Sequence, residues 1–337
     1  MKGQAARSIG QRRVDRAPSG AWLRLNPVNR VGEFQPMSLS KKTKTALDET
    51  RLLLLGAQVL FGFYLHSVFQ DAFEHLSPTT KLVDCAGQFL MALVVGLLIA
   101  PSMQHRIVEA GQDTHRILSV TTLFAGLALL PFGMSLGLGV YIAFDRLSGP
   151  GVAFAAGGLF FLLAGFFWFG LEFAVKSSVG IKPMAEKEEP TPLSTKIDQL
   201  LTEARVVAPG AQALLGFQFT VMFSRSFEQL PASSKVLHVA ALCCVALTVI
   251  LLLTPAALHR ISFGGEDTPL FFRMGSRFVV AATVPLALGI AADLYVATAK
   301  ASQSAGLGVV LAVVAVGILA GLWYGLPVAL RMRGAGR

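Results

Sequence analysis

The chain has 337 residues, of which 53% are apolar and only 15% charged, with a mean hydropathy of +0.60. That balance excludes an ordinary soluble domain or a disordered chain and places the protein in the membrane class. The net charge of +9 is concentrated at the start, where residues 1–51 hold 11 Lys or Arg against 4 Asp or Glu. No aromatic-interleaved basic domain follows, so nucleic acid is not expected as a partner.

Residues 1–48 are Arg-rich, lack apolar periodicity and contain no h-region, and they read as a basic, disordered cytoplasmic tail without a cleavable signal peptide. A mitochondrial transit peptide shares this Arg-rich, acid-poor character. Met37 opens a short basic lead-in to the first span and is an alternative start to Met1.

Apolar runs of spanning length need about 20 residues each. Eight occur: 52–70, 82–100, 117–143 and 151–175, then 206–224, 236–254, 273–297 and 306–330. They are continuously apolar rather than alternating over about ten residues, which favours helices over a barrel. The fold class expected is therefore an all-α integral membrane protein with eight transmembrane helices. Between the two groups, residues 177–202 form a polar linker in which Lys182-Pro183 and Glu186 to Pro190 break helix, with Leu193 to Leu201 as a short amphipathic lead into span five. The domains expected are a tail (1–48), a membrane repeat (49–176), the linker and a second repeat (203–333).

The two membrane segments say the same thing twice. Glu49-Thr-Arg51 matches Glu203-Ala-Arg205, Gly56-Ala-Gln58 matches Gly210-Ala-Gln212, and Gly62-Phe63 matches Gly216-Phe217. Pro101 and His105-Arg106-Ile107 match Pro255 and His259-Arg260-Ile261 at the same offset of about 154 residues. Four spans per repeat is an even number, so the copies are parallel, unlike the inverted repeats of many transporters. Alternating loops leave only Lys81, Arg146, Arg225, Lys235 and Lys300 on one side, which by the positive-inside rule puts both termini in the cytoplasm. Gly133 and Gly137 in span three, and Gly317, Gly321 and Gly325 in span eight, are spaced for close helix approach, the latter as a candidate homo-oligomer contact. Tyr141, Tyr295, Trp168 and Trp323 fit interfacial anchors, and membrane lipids are the surrounding partner.

Three repeated constellations are candidates for chemistry. Gln58 and Gln212 lie roughly 10 Å beyond the opening Glu-x-Arg at 1.5 Å per residue, where an amide must find a partner. They serve either as interhelical glue or as the lining of a polar pathway. The loop after span two carries His105, Arg106 and Asp113, matched by His259, Arg260 and Asp267. Its readings are a helix cap with a topology anchor, a headgroup or ligand site, or a metal or catalytic site, although the spacing is no recognised ligand set. Pro131 and Pro285 interrupt spans three and seven, by packing or as pointers to a transport site. His66, Glu172 and Asp293 are the ionisable residues singled out within the spans, none with a counterpart in the other copy, which argues against a symmetric proton relay. The cysteines Cys85, Cys243 and Cys244 fall inside spans without CxxC spacing and read as packing residues.

These runs, Ala46 to Arg51, Gly56 to Phe63, His105 to Thr114, and in the second copy Glu203 to Arg205, Pro209 to Gln212, Gly216 to Gln218 and Gly264 to Thr268, resemble an uncharacterised family of bacterial multi-span membrane proteins. The resemblance covers residues 46–330 and implies a bacterial cytoplasmic-membrane location, with no catalytic residues or cofactor to transfer. Tyr64 and Leu55 depart from Gln218 and Pro209 of the second copy. The function expected is a non-enzymatic membrane scaffold. The alternatives are a transporter or channel with a site between the repeats, and a membrane enzyme using the His-Arg/Asp loop.

Overall fold

The computed structural model describes residues 38–170 and 190–335, all helices and short connections. The tail up to residue 37, the linker over 177–189 and Glu172 lie outside the described residues. In chain order the helices are α1 (Leu39–Ser67), α2 (Asp71–Glu74), α3 (Pro78–Ile107), α4 (His115–Ser148) and α5 (Pro150–Gly165), the last continued by a π turn over Phe166–Gly170. After the linker come α6 (Leu193–Val221), α7 (Arg225–Glu228), α8 (Ala232–Ile261), α9 (Pro269–Ser302) and α10 (Ala305–Ala320). A second π turn over Gly321–Gly325 leads into α11 (Leu326–Ala335).

The duplication holds element by element. α1 and α6 are 29 residues each, α3 and α8 30, and α4 and α9 34, each pair starting 154 positions apart. The register slips by one residue only before the last helix. Gly149, at φ +82°, closes α4 in a single residue ahead of Pro150, whereas the second copy uses left-handed Gln303 and then Ser304, whose Oγ accepts from Leu307 N–H and caps α10.

Six helices are long and apolar enough to cross a membrane: α3, α4, α5 with its π turn, α8, α9 and the run from Ala305 to Arg333. α1 and α6 are as long, but α1 opens with Lys41, Lys42, Lys44, Asp48, Glu49 and Arg51, and the tail expected to reach residue 48 is already helical from Leu39. Leu39, Thr43 and Leu47 are buried at i, i+4 and i+8, so an inward stripe starts a helix before the apolar run does. In the first repeat α1 packs on α3 and α4, and α4 on α5; α6, α8, α9 and α10 repeat the pattern. α3 and α9 are central, with 61% of their apolar windows buried, against 11% for α5 and 17% for the last run. The outer helices turn Phe154, Leu162, Val310 and Val313 outward, as a lipid solvent allows.

The repeats meet chiefly where α1 lies against α6 and α3 against α9. Lys44 Nζ bonds Asp198 Oδ2 at 2.6 Å, and the rings of Phe63 and Phe217 are 4.6 Å apart. Both contacts join equivalent positions, one near each end, so α1 and α6 run parallel. The end where α1 and α6 begin is called basal below, and the other distal.

Candidate functional site

At the basal end the sequence-derived loop proves shorter than expected. α3 continues through Pro101 to Ile107, and α8 through Pro255 to Ile261, so both His-Arg pairs sit in a last helical turn. Proline removes one helical hydrogen bond, and packing on both sides of it keeps these helices intact. The reversal that follows needs left-handed residues, Ala110 and Gly111 in one copy and Gly264 and Gly265 in the other. Gly111 N–H and Gly265 N–H then close back on the carbonyls of His105 and His259. Thr114 and Thr268 cap the next helices by accepting from Ile117 and Phe271 N–H at 3.1 Å each. Threonine, and not the preceding aspartate, is the cap.

That frees Asp113 for another role. Its carboxylate accepts from Gln199 Nε2 at 3.2 Å and faces His105 Nε2 at 3.8 Å, while its N–H donates to Thr191 Oγ1. Beside it, Glu203 of the second repeat is held by two guanidiniums of the first. Arg106 Nη2 donates directly to Glu203 Oε2, and Arg51 Nη2 lies 3.8 Å from the same oxygen. The three side chains are only 3–4% exposed. Arg106 also donates to Ser276 Oγ, and Arg51 to Asp48 Oδ1 at 2.5 Å and to the Gln199 carbonyl. Two cations against one buried carboxylate, with a second carboxylate at the rim, make a nearly neutral lock between repeats. Further out, the Asp198 hydrogen bond and charge raise the Lys44 ammonium above its ordinary pKa.

The twin of this lock is open. Glu49, Arg205 and Arg260 are exposed, and half-exposed His259 packs on the Phe271 ring and lies 3.4 Å from Asp267. The six loop residues therefore divide: His105, Arg106 and Asp113 are structural interior, and His259, Arg260 and Asp267 are available to solvent or headgroups.

The glutamines divide in the same way. Gln58 is buried against Gly210, where any Cβ would land 1.7 Å from its Oε1; its amide has no partner among the described residues. Gln212 is exposed, and Gly56 has open space beside it. They do not face each other across a cavity. The Gly-Ala-Gln motif is used in one direction only: the glycine of the second copy receives the glutamine of the first. Pro131 and Pro285 are buried, and both helices continue through them.

Two groups at the distal end escaped the sequence reading. Asp84 and His238 occupy equivalent positions within α3 and α8, 1% and 3% exposed. Their position near the ends of apolar runs hid them, although the 154-residue offset pairs them. Asp84 accepts from Ser67 Oγ at 3.0 Å and Gln88 Nε2 at 2.5 Å, with no cation on it among the described residues. It borders a lateral cavity of about 400 Å³ lined also by Tyr64, Ser135 and Gly139. In the second repeat Asp293 accepts from Gln218 Nε2 and stands 3.4 Å from His238 Nδ1. His238 Nε2 meets the Gln218 carbonyl at 2.9 Å, and a carbonyl only accepts, so Nε2 carries a proton. Asp293 does lack an aligned acid, since Gly139 stands there, but each repeat keeps one buried carboxylate at this level. His66 differs: it lies at the distal surface with its Nε2 at 2.7 Å from Gln70.

Trp323 and Trp168 are not both interfacial anchors. The π turn carries Trp323 fully into the interior, where Nε1 donates to the Gly96 carbonyl at 2.9 Å, while half-buried Trp168 stacks on Phe132. Gly137 does allow close approach, its Cβ position lying 2.8 Å from the Gly157 carbonyl. Gly317 and Gly321 have open space on the outside of the last run.

Helical throughout the described residues, internally duplicated, and carrying six helices fit to cross a membrane, the chain has the build of a multi-pass membrane protein. It belongs to the Family of unknown function (DUF6328), whose model matches twice in tandem, over residues 33–172 and 188–327. No curated protein and no solved structure matches it.

Proposed function

We propose that the protein is a non-enzymatic scaffold or membrane-organising element of the bacterial cytoplasmic membrane. In this reading α1 and α6 are the fourth crossing of each repeat, giving eight, with both termini cytoplasmic. The observation that carries it is the seam between the repeats. Glu203, Arg51 and Arg106 close its basal end with side chains only 3–4% exposed, and Gln58 is packed against Gly210 further in. A path between the repeats would have to break an ion cluster whose partners are costly to leave unpaired. The topology rests on the Lys and Arg asymmetry of the loops.

A second reading has one observation in its favour. Asp84, without a counter-charge and beside a cavity of about 400 Å³, is the kind of intramembrane acid that marks an ion or solute pathway. The transport site would then lie inside a repeat rather than between repeats. Reconstitution into vesicles loaded with pH- and cation-sensitive dyes separates the two. The scaffold reading expects no flux above protein-free vesicles. A saturable flux lost in Asp84→Asn would overturn it in favour of transport. Thiol labelling of Glu266→Cys from the cytoplasmic side alone would support the topology, and labelling from outside would refute it.

A further inference from the structure

Apart from the Lys44–Asp198 and Phe63–Phe217 contacts between equivalent positions, the repeats meet through unlike faces. α1 contributes Arg51, Gln58 and Gly62, and α6 contributes Glu203, Gly210 and Phe217. Glu203 enters between Arg51 and Arg106, Gln58 lies over Gly210, and Phe217 fills the space beside Gly62, where a Cβ would be 2.1 Å from its ring. A contact between unlike faces leaves one of each unused, and such contacts build a ring where the rotation closes and an open array where it does not. The unused faces are both on the surface. On α6 they are Arg205, Gln212 and Gly216, with Arg260 alongside; on α1 they are Glu49 and Gly56, with Phe63 at their edge, already against Phe217 but still half exposed. Among the described residues none of Glu49, Arg205 and Arg260 has an ionic partner, and Gly56 and Gly216 have nothing within 4 Å of a Cβ.

We propose that a second copy of this chain docks on these faces and repeats the internal contact, so that two chains close a ring of four repeats. Each unused residue has its complement on the other face. Glu49 of the second copy would enter between Arg205 and Arg260, Gln212 would lie over Gly56, and Phe63 would cover Gly216. Supporting contacts keep their chemistry at the equivalent positions. Ser276, which receives Arg106, is matched by exposed Thr122, which offers Arg260 a hydroxyl. Lys300 and Glu74, 3.4 Å apart and lowering the Glu74 pKa, are matched by exposed Arg146 and Glu228.

Parallel repeats make this geometry available to two chains inserted the same way round. Lipid headgroups would satisfy Arg205 and Arg260 but would repel Glu49, and hydrocarbon would leave the Gln212 amide unpaired. The repetition concerns the inner helices and the basal end. The Trp323–Gly96 contact is not copied, because Ile250 stands at the position of Gly96.

The test uses the full chain in mild detergent, with Cys85, Cys243 and Cys244 replaced by alanine. Gly56 and Gln212 both face open surface, so cysteine at either leaves folding intact. Gly56→Cys with Gln212→Cys in one chain should give a two-chain covalent species as the main product of oxidation, and either single variant should stay as one chain of 35.8 kDa. Native mass spectrometry of the unmodified protein should show two chains. Glu49→Arg should convert it to one chain, and Arg205→Glu with Arg260→Glu added should restore the pair. A one-chain mass for the unmodified protein overturns the proposal. So does a dimer that cross-links through Gly317→Cys and not through the 56/212 pair.

Discussion

Glu203 is the residue whose loss should be felt most. In Glu203→Leu, Arg51 keeps Asp48 at 2.5 Å and the Gln199 carbonyl, but Arg106 is left with the Ser276 hydroxyl alone. Its side chain is 4% exposed, so the orphaned guanidinium cannot recover its hydration without opening the seam. Breaking a buried pair by removing one partner costs about 3–5 kcal/mol, chiefly as the penalty on the charge left behind. Removing both charges is different, because a buried pair replaced by apolar groups of similar volume is often neutral. Glu203→Leu/Arg106→Met should therefore be more stable than Glu203→Leu alone by about 2 kcal/mol or more, a coupling of the sign that a double-mutant cycle reads. The assay is equilibrium unfolding in mixed micelles followed by circular dichroism, with exposed Glu266→Gln as a control expected within about 0.5 kcal/mol of the parent. If Glu203→Leu lies within about 1 kcal/mol of the parent, or the double variant costs the sum of the singles, the ion cluster is not what locks the repeats.

Three further outcomes follow from the same geometry. Gly137→Ala puts a methyl 2.8 Å from the Gly157 carbonyl and should cost about 1–3 kcal/mol in the same unfolding assay, while Gly151→Ala, in open space, should not. Trp323→Phe empties part of a fully buried site and removes a donor from the Gly96 carbonyl, so it should cost about 2–3 kcal/mol, with half-buried Trp168→Phe below about 1 kcal/mol. Diethyl pyrocarbonate should modify His259 in the native protein and reach His105 only after denaturation, as mapped by peptide mass spectrometry; equal reaction of the two would contradict the burial of the first loop.

Much of the architecture was legible in the residues. Apolar runs of spanning length gave helices, and the matched landmarks gave the duplication, down to the glycine–threonine turn that reverses the chain before α4 and α9. These are local properties: helix formation, positive-φ glycine and threonine capping depend on neighbours within a few positions. Helix ends were less legible. Pro101 follows the apolar run that ends at residue 100 and so reads as loop, yet α3 runs on to Ile107. Asp84 and His238 were missed because each is a single polar residue near the end of an apolar run. Their equivalence was visible in the offset, but their burial was not.

The sequence by itself determined that there are two copies of one helical unit, lying parallel, and which residues of one correspond to which of the other. Only the tertiary structure decided which member of each matched pair is used. Glu203 is locked and Glu49 exposed, Gln58 buried and Gln212 outside, His105 enclosed and His259 on the surface. Two identical units that met symmetrically would have buried both members of every pair. These units meet through unlike faces, so the contact that buries one residue turns its twin outward, and a repeated sequence holds no record of that choice.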